Sequence, residues 1–131
     1  MRTVINLGQS LSSKAIEALG GHDVVTEHHF PQTFKMGIGI NLACQLDQAV
    51  AIAHQIHNNA PDSEVLFIMP GMGSAAIVFL AGISGLLGVM PKVIIMASTE
   101  NDGFMPSEII DLQKEKLYHR LGRDGNAVSR S

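Results

Sequence analysis

The chain has 131 residues, a formal net charge of −3 and 46% hydrophobic residues. That length fits one domain with a real core, and that apolar share excludes intrinsic disorder. The weak negative charge excludes a broad electrostatic grip on long DNA or RNA, while a small anion held by backbone amides needs no positive charge.

In chain order, residues 3–7 (TVINL) form a short apolar run ending in Gly8-Gln9-Ser10, which predicts a first strand and its loop. Ser12 or Ser13 caps a helix through Leu19, and Gly20-Gly21 stops it. Residues 23–29 (DVVTEHH) carry the β-branched content of a second strand. Residues 31–40 hold two glycines and no clear period, which predicts a loop. Over residues 41–58, Leu42, Leu46, Ala49, Val50, Ala53 and Ile56 lie on one face of an amphipathic helix, ended by Asn58-Asn59-Ala60-Pro61-Asp62.

Residues 65–96 are the most informative stretch. An apolar run at 65–69 leads into Pro70-Gly71-Met72-Gly73-Ser74, then an apolar helix over 75–88, then Pro91 and a second apolar run at 93–97. Strand, glycine turn, helix and strand make one βαβ unit, and both strands are too apolar for a half-exposed sheet. No charged residue occurs from 65 to 90. The Pro-Gly break nevertheless leaves pieces of about five and about fifteen residues, each short of the roughly 20 a membrane span needs. No membrane association is expected.

Residues 98–107 (STENDGFMPS) are expected to form a polar loop after strand four. Residues 108–112 (EIIDL) are either a fifth strand or the first turn of a helix, 113–121 are helical, and 123–131 form a flexible polar tail. Alternating β and α segments predict an open, mainly parallel, Rossmann-like α/β sheet of four or five strands with helices on both faces, in one domain over residues 1–122.

In such a sheet the glycine turn and helix N-terminus present N–H groups at the C-terminal edge, where anionic ligands are commonly held. Gly71-x-Gly73 lacks the third glycine of a dinucleotide fingerprint, since Ala76 stands there, and no P-loop lysine-serine pair follows. Ser10, Ser12, Ser13 and Lys14 cluster at the first β–α turn, where capping accounts for one serine and Ser10 is a candidate ligand contact. His28-His29 stand where strand two ends and are candidates for proton transfer. His54 and His57 are spaced i, i+3 without a third ligand, so no metal is expected. The single cysteine, Cys44, excludes an intrachain disulfide, fits a reducing, cytoplasmic compartment, and is expected to pack rather than react. The small residues Ala81, Gly82, Ser84, Gly85 and Gly88 on a helix with hardly a polar face point to a homo-oligomer interface.

Three stretches resemble a known family. Ile5-Asn6-Leu7-Gly8-Gln9-Ser10-Leu11-Ser12 is similar to the opening asparagine–hydrophobic–turn–Leu–Ser/Thr pattern of small CRISPR-associated proteins of the Csx type. Pro70-Gly71-Met72 with Leu80-Ala81, Gly85, Gly88 and Pro91 is similar to their Pro-turn-apolar-helix stretch, and Glu108-Ile109-Ile110-Asp111-Leu112-Gln113 with Arg120 to their closing segment. The resemblance implies a CARF-like Rossmann domain binding cyclic oligoadenylate, chiefly cyclic tetra-adenylate, at an oligomer interface. It also implies a ring nuclease that opens this messenger and switches off type III CRISPR signalling.

The candidate contacts for such a ligand, all at one sheet edge of the expected fold, are Gly8, Gln9 and Ser10 after strand one, Pro70, Gly71, Met72, Gly73 and Ser74 at the glycine turn, and Ser98 and Thr99 after strand four. Ser10 and His28 are the expected catalytic residues, with no cofactor and no metal. Family members often carry Ser and His after the first strand where this chain has Gly8 and Gln9, so binding by the loop backbone and Gln9 is what carries over. Two other readings stay open: a protein that sequesters the same ligand without cleaving it, and a small nucleotide or phosphosugar enzyme on a flavodoxin-like sheet.

Overall fold

The computed structural model describes residues 1–30, 34, 35, 37–123 and 125. Among them the order is β1 (Arg2–Asn6), α1 (Ser13–Ala18), β2 (Val25–His29), α2 (Leu42–Asn58), β3 (Glu64–Ile68), α3 (Gly73–Leu87), β4 (Lys92–Thr99), β5 (Gly103–Asp111) and α4 (Leu112–Arg123). The strands form one open sheet in the order β2-β1-β3-β4-β5, parallel except for the antiparallel β4–β5 pair. This is the predicted Rossmann-like α/β architecture.

Strand alternation sorts the core into two layers. Ile5, Phe67 and Val93 pack with Leu46, Ala49 and Ala53 of α2 and Ala75, Phe79 and Ile83 of α3. Val4, Leu66 and Ile94 point the other way, onto Ile16 and Leu19 of the first β–α unit. The α2 residues are those the amphipathic spacing selected. Phe67 and Phe79 meet at 6.2 Å between ring centroids, tilted by 50°. The two helices sit so close that a Cβ on Gly82 would lie 3.0 Å from Val50 Cγ2.

A six-residue helix covers little of the second face. The β4–β5 hairpin adds Ile94 and Met96 to that layer. β4 pairs with β3 only at Lys92 and Val93, and from there on with β5 alone. Thr99 is therefore carried roughly 20 Å past Val93 at about 3.3 Å per residue. The hairpin lies against α1, and Lys14 Nζ reaches Asp102 Oδ1 at 2.6 Å near its tip.

The expected loop at 98–107 is thus mostly strand. Only residues 100–102 turn, and Gly103 adopts the left-handed conformation (φ +67°) that closes a short hairpin. Pro106 and the polar residues around it disguised the strand. β5 is an edge, where proline is tolerated, and a register shift at Ile95/Met96 absorbs the irregularity. Residues 108–112 consequently finish a fifth strand and begin α4 rather than choosing between the two.

Cys44 also departs from expectation. It lies exposed in the first turn of α2, outside the buried stripe. In the expected loop at 31–40, Phe34, Lys35 and residues 37–40 carry no helix or strand, while 31–33 and 36 lie outside the described residues. Of the expected tail, only Arg123, which ends α4, and Gly125 are described. Among the described residues no helix is long and apolar enough to cross a membrane.

Candidate functional site

Chain direction reverses across the sheet at β1: β1 leads outward to β2, and the chain then steps back over β1 to β3 and onward. The loops leaving β1 and β3 depart to opposite faces, toward α1 and α3, and open a crevice at the C-terminal edge. Ligands of open α/β sheets gather at such a switch point. The two loops touch at its floor. Leu7 N donates to Ile68 O at 2.9 Å, and a Cβ on Gly8 would meet Ile68 Cγ2 at 3.2 Å and Met69 O at 3.4 Å. A side chain at Gly8 would therefore require Ile68 and the β3 loop to give by a few tenths of an ångström.

Beneath the first loop lies a polar anchor. Asn6, fully buried at the end of β1, donates through Nδ2 to Gln9 O and to Glu27 Oε2, both at 2.7 Å, and its Oδ1 accepts from Gly8 N at 2.8 Å. Glu27 Oε2 also accepts from Leu11 N at 2.9 Å. One asparagine and one carboxylate therefore hold residues 8–11 in shape from below. Gln9 and Ser10 stay exposed on the rim, and Ser12 is spent as the α1 cap, accepting from Ala15 N at 3.1 Å. His29 reaches across from β2, its Nε2 2.8 Å from Gly8 O. His28 stands one residue earlier, level with Ile5 and half-buried, on the opposite face of β2 from Glu27.

On the other side, Pro70 is buried, Met72 packs onto the core, and Gly71, Gly73 and Ser74 are exposed. Ser12 and Asn41 cap α1 and α2, but no side chain caps α3 at Met72. Its first N–H groups are left to solvent or a ligand. Neither Gly71 nor Gly73 has a positive φ, and a Cβ on either would meet nothing within 4 Å. The turn itself does not demand glycine at these places.

Comparison with known proteins returns no matching family model, no matching curated protein and no matching solved structure.

Ser98 and Thr99 end β4 on the hairpin whose tip meets Lys14 at the start of α1. Thr99 Oγ1 is engaged in its own turn, donating to Gly103 O at 2.8 Å and accepting from Asp102 N at 3.0 Å. So eight of the expected contacts, at 8–10 and 70–74, lie on the two adjoining loops after β1 and β3, and the other two lie on the β4–β5 hairpin. Among the described residues no three His, Cys, Asp or Glu side chains converge as metal ligands. His54 Nε2 lies 3.3 Å from Asn58 Nδ2.

A cleft of about 470 Å³ opens at the opposite edge of the sheet, lined among others by His57, Glu64, Lys92 and Asp111. Its charges are already engaged, since Glu64 binds Arg2 at 3.0 Å and Lys92 at 3.3 Å, and Asp111 Oδ1 accepts from Lys114 N at 3.1 Å. The other cleft also holds His57 Nδ1, buried and without a partner among the described residues, but the loops at β1 and β3 offer more free groups: the exposed Gln9 and Ser10 and the first N–H groups of α3.

Sequence reasoning passed over Glu27 and the structural use of Asn6. A buried asparagine two residues before a glycine is a readable turn signature. Nothing local marks Glu27 as its partner, 21 residues away.

Proposed function

We propose that this chain binds cyclic oligoadenylate, with cyclic tetra-adenylate the preferred ring, in the crevice between the β1 and β3 loops. There it linearises the ring without a metal, which would end type III CRISPR signalling. The observation that carries the reading is the uncapped α3 N-terminus facing a loop pinned by Asn6 and Glu27 across the switch point. Backbone amides of residues 73–75 and the exposed Gln9 and Ser10 would hold phosphate and ribose from two sides. The open space at Gly71 and Gly73 leaves room for close approach by a phosphate.

Ring opening by a ribose 2′-OH on the adjacent phosphorus needs no protein nucleophile. It needs in-line positioning, donors for the developing phosphorane, and a proton acceptor. A ring with internal two-fold symmetry suits two copies of the crevice. The outward face of α3 suits their meeting, with Ile77 72% exposed, Ala81 and Gly85 exposed beside it and no charged residue on the helix.

The test is incubation with cyclic tri-, tetra- and hexa-adenylate, with and without EDTA. Linear product from the tetra-adenylate at equal rates in both conditions is the expected result. Binding without product makes the protein a sequestering one. A larger thermal shift with NAD or a mononucleotide than with any ring overturns the reading.

A further inference from the structure

We propose that His29, rather than His28, is the general base of this crevice, acting through Nδ1. The inference rests on the cyclic-oligoadenylate reading above. Its physical basis is one hydrogen bond. His29 Nε2 lies 2.8 Å from the carbonyl oxygen of Gly8, and a carbonyl oxygen can only accept. The hydrogen must therefore sit on Nε2. In the neutral ring Nδ1 is then bare, a lone pair whose direction is set by the partner of the other nitrogen.

Three further observations place that lone pair usefully. Gly8 is held in place, because its N–H is bound by Asn6 Oδ1 at 2.8 Å and the preceding Leu7 N–H by Ile68 O at 2.9 Å. The carbonyl that orients the ring is therefore itself fixed. His29 is exposed at the C-terminal end of β2 and bonds the loop that carries Gln9 and Ser10. His28 lacks such an anchor among the described residues, and strand alternation sends it to the other face. A catalytic base oriented through its second nitrogen by a rigid acceptor follows the general logic of activated nucleophiles.

The step balances without a co-reactant. His29 Nδ1 takes the proton of a ribose 2′-OH as the 2′ oxygen bonds to the adjacent phosphorus. The bond from phosphorus to the 5′ oxygen breaks, and that oxygen leaves with a proton returned by the imidazolium or by water. A linear chain with a 2′,3′-cyclic phosphate and a 5′-hydroxyl results, and no water is consumed.

His29→Gln separates the two duties of the ring, since the Gln amide nitrogen can still donate to Gly8 O but the side chain offers no base. With cyclic tetra-adenylate, His29→Gln should keep wild-type binding and lose cleavage by about 100-fold or more. His29→Ala should lose affinity as well, and the exposed His22→Gln at the far edge of the sheet serves as the control. Long-range ¹H–¹⁵N spectra of the unliganded protein should show His29 as the Nε2–H tautomer. Wild-type cleavage rates in His29→Gln, or a neutral ring protonated at Nδ1, overturn the assignment and leave the ligand reading intact. A wild-type protein that neither binds nor opens any ring overturns both.

Discussion

The Asn6 amide donates to Glu27 Oε2 at 2.7 Å, and that contact joins the end of β1 to the edge strand beneath the loop that lines the crevice. The same carboxylate oxygen accepts from Leu11 N, so one half-buried carboxylate holds both ends of residues 6–11.

Asn6→Ala should accordingly be costly. It strands Gly8 N and removes two donated bonds from a fully buried position, a loss of about 3 kcal/mol. For a domain of this size that lowers Tm by roughly 10 °C. Differential scanning calorimetry checks it, and a Tm within about 2 °C of wild type would mean the loop is held by something else.

Gly82→Ala sets two effects against each other. Alanine gains about 1 kcal/mol of helix propensity over glycine, but its Cβ would stand 3.0 Å from Val50 Cγ2. Valine in a helix has one strongly preferred rotamer and cannot turn aside, so the crowding should win by about 1 kcal/mol. Adding Val50→Ala should restore part of that loss, which a double-mutant cycle by urea denaturation measures as coupling. Purely additive effects would show that the α2–α3 spacing is not set by this pair.

Gly73→Val should separate binding from folding. In the free protein an added Cβ at this exposed position meets nothing within 4 Å and no positive φ is needed, so stability should move by less than about 0.5 kcal/mol. If phosphate approaches the α3 N-terminus, affinity for cyclic tetra-adenylate should fall at least about tenfold, since the β-branched group occupies that approach. Unchanged affinity by isothermal titration would move the ligand elsewhere along the sheet edge.

Gly85→Glu tests the outer face of α3. The position is open in the single chain, so a monomer tolerates glutamate there, whereas a subunit interface cannot take an unpaired buried charge. The variant should run as a folded monomer in light scattering while the wild type runs as a dimer. A wild-type monomer at micromolar concentration removes the interface.

Local pattern was enough to place α2, β3 and α3, because a 3.6-residue stripe from Leu42 to Ile56 and unbroken apolar runs require burial whatever their neighbours are. It was also enough to see that Gly71 to Ser74 open a helix. It misjudged residues 98–107, where the turn sequence Asn101-Asp102-Gly103 was present but the polar character of the stretch read as a loop. Cross-strand pairing with β4 decided that segment, and pairing is a property of the partner as much as of the strand.

The site divides in the same way. Which residues line its rim follows from where strands end, and strand ends are marked locally by Gly8 and Pro70. That Glu27 supports the rim and that His29 is held by Gly8 depend on β2 lying beside β1 in one register, with Asn6 opposite His29. A shift of one residue would turn Glu27 and His29 to the other face, because successive side chains on a strand alternate. Composition and periodicity determined what had to be buried. The register between strands separated by a helix decided which polar groups meet, since no local signal encodes contacts between residues 21 apart.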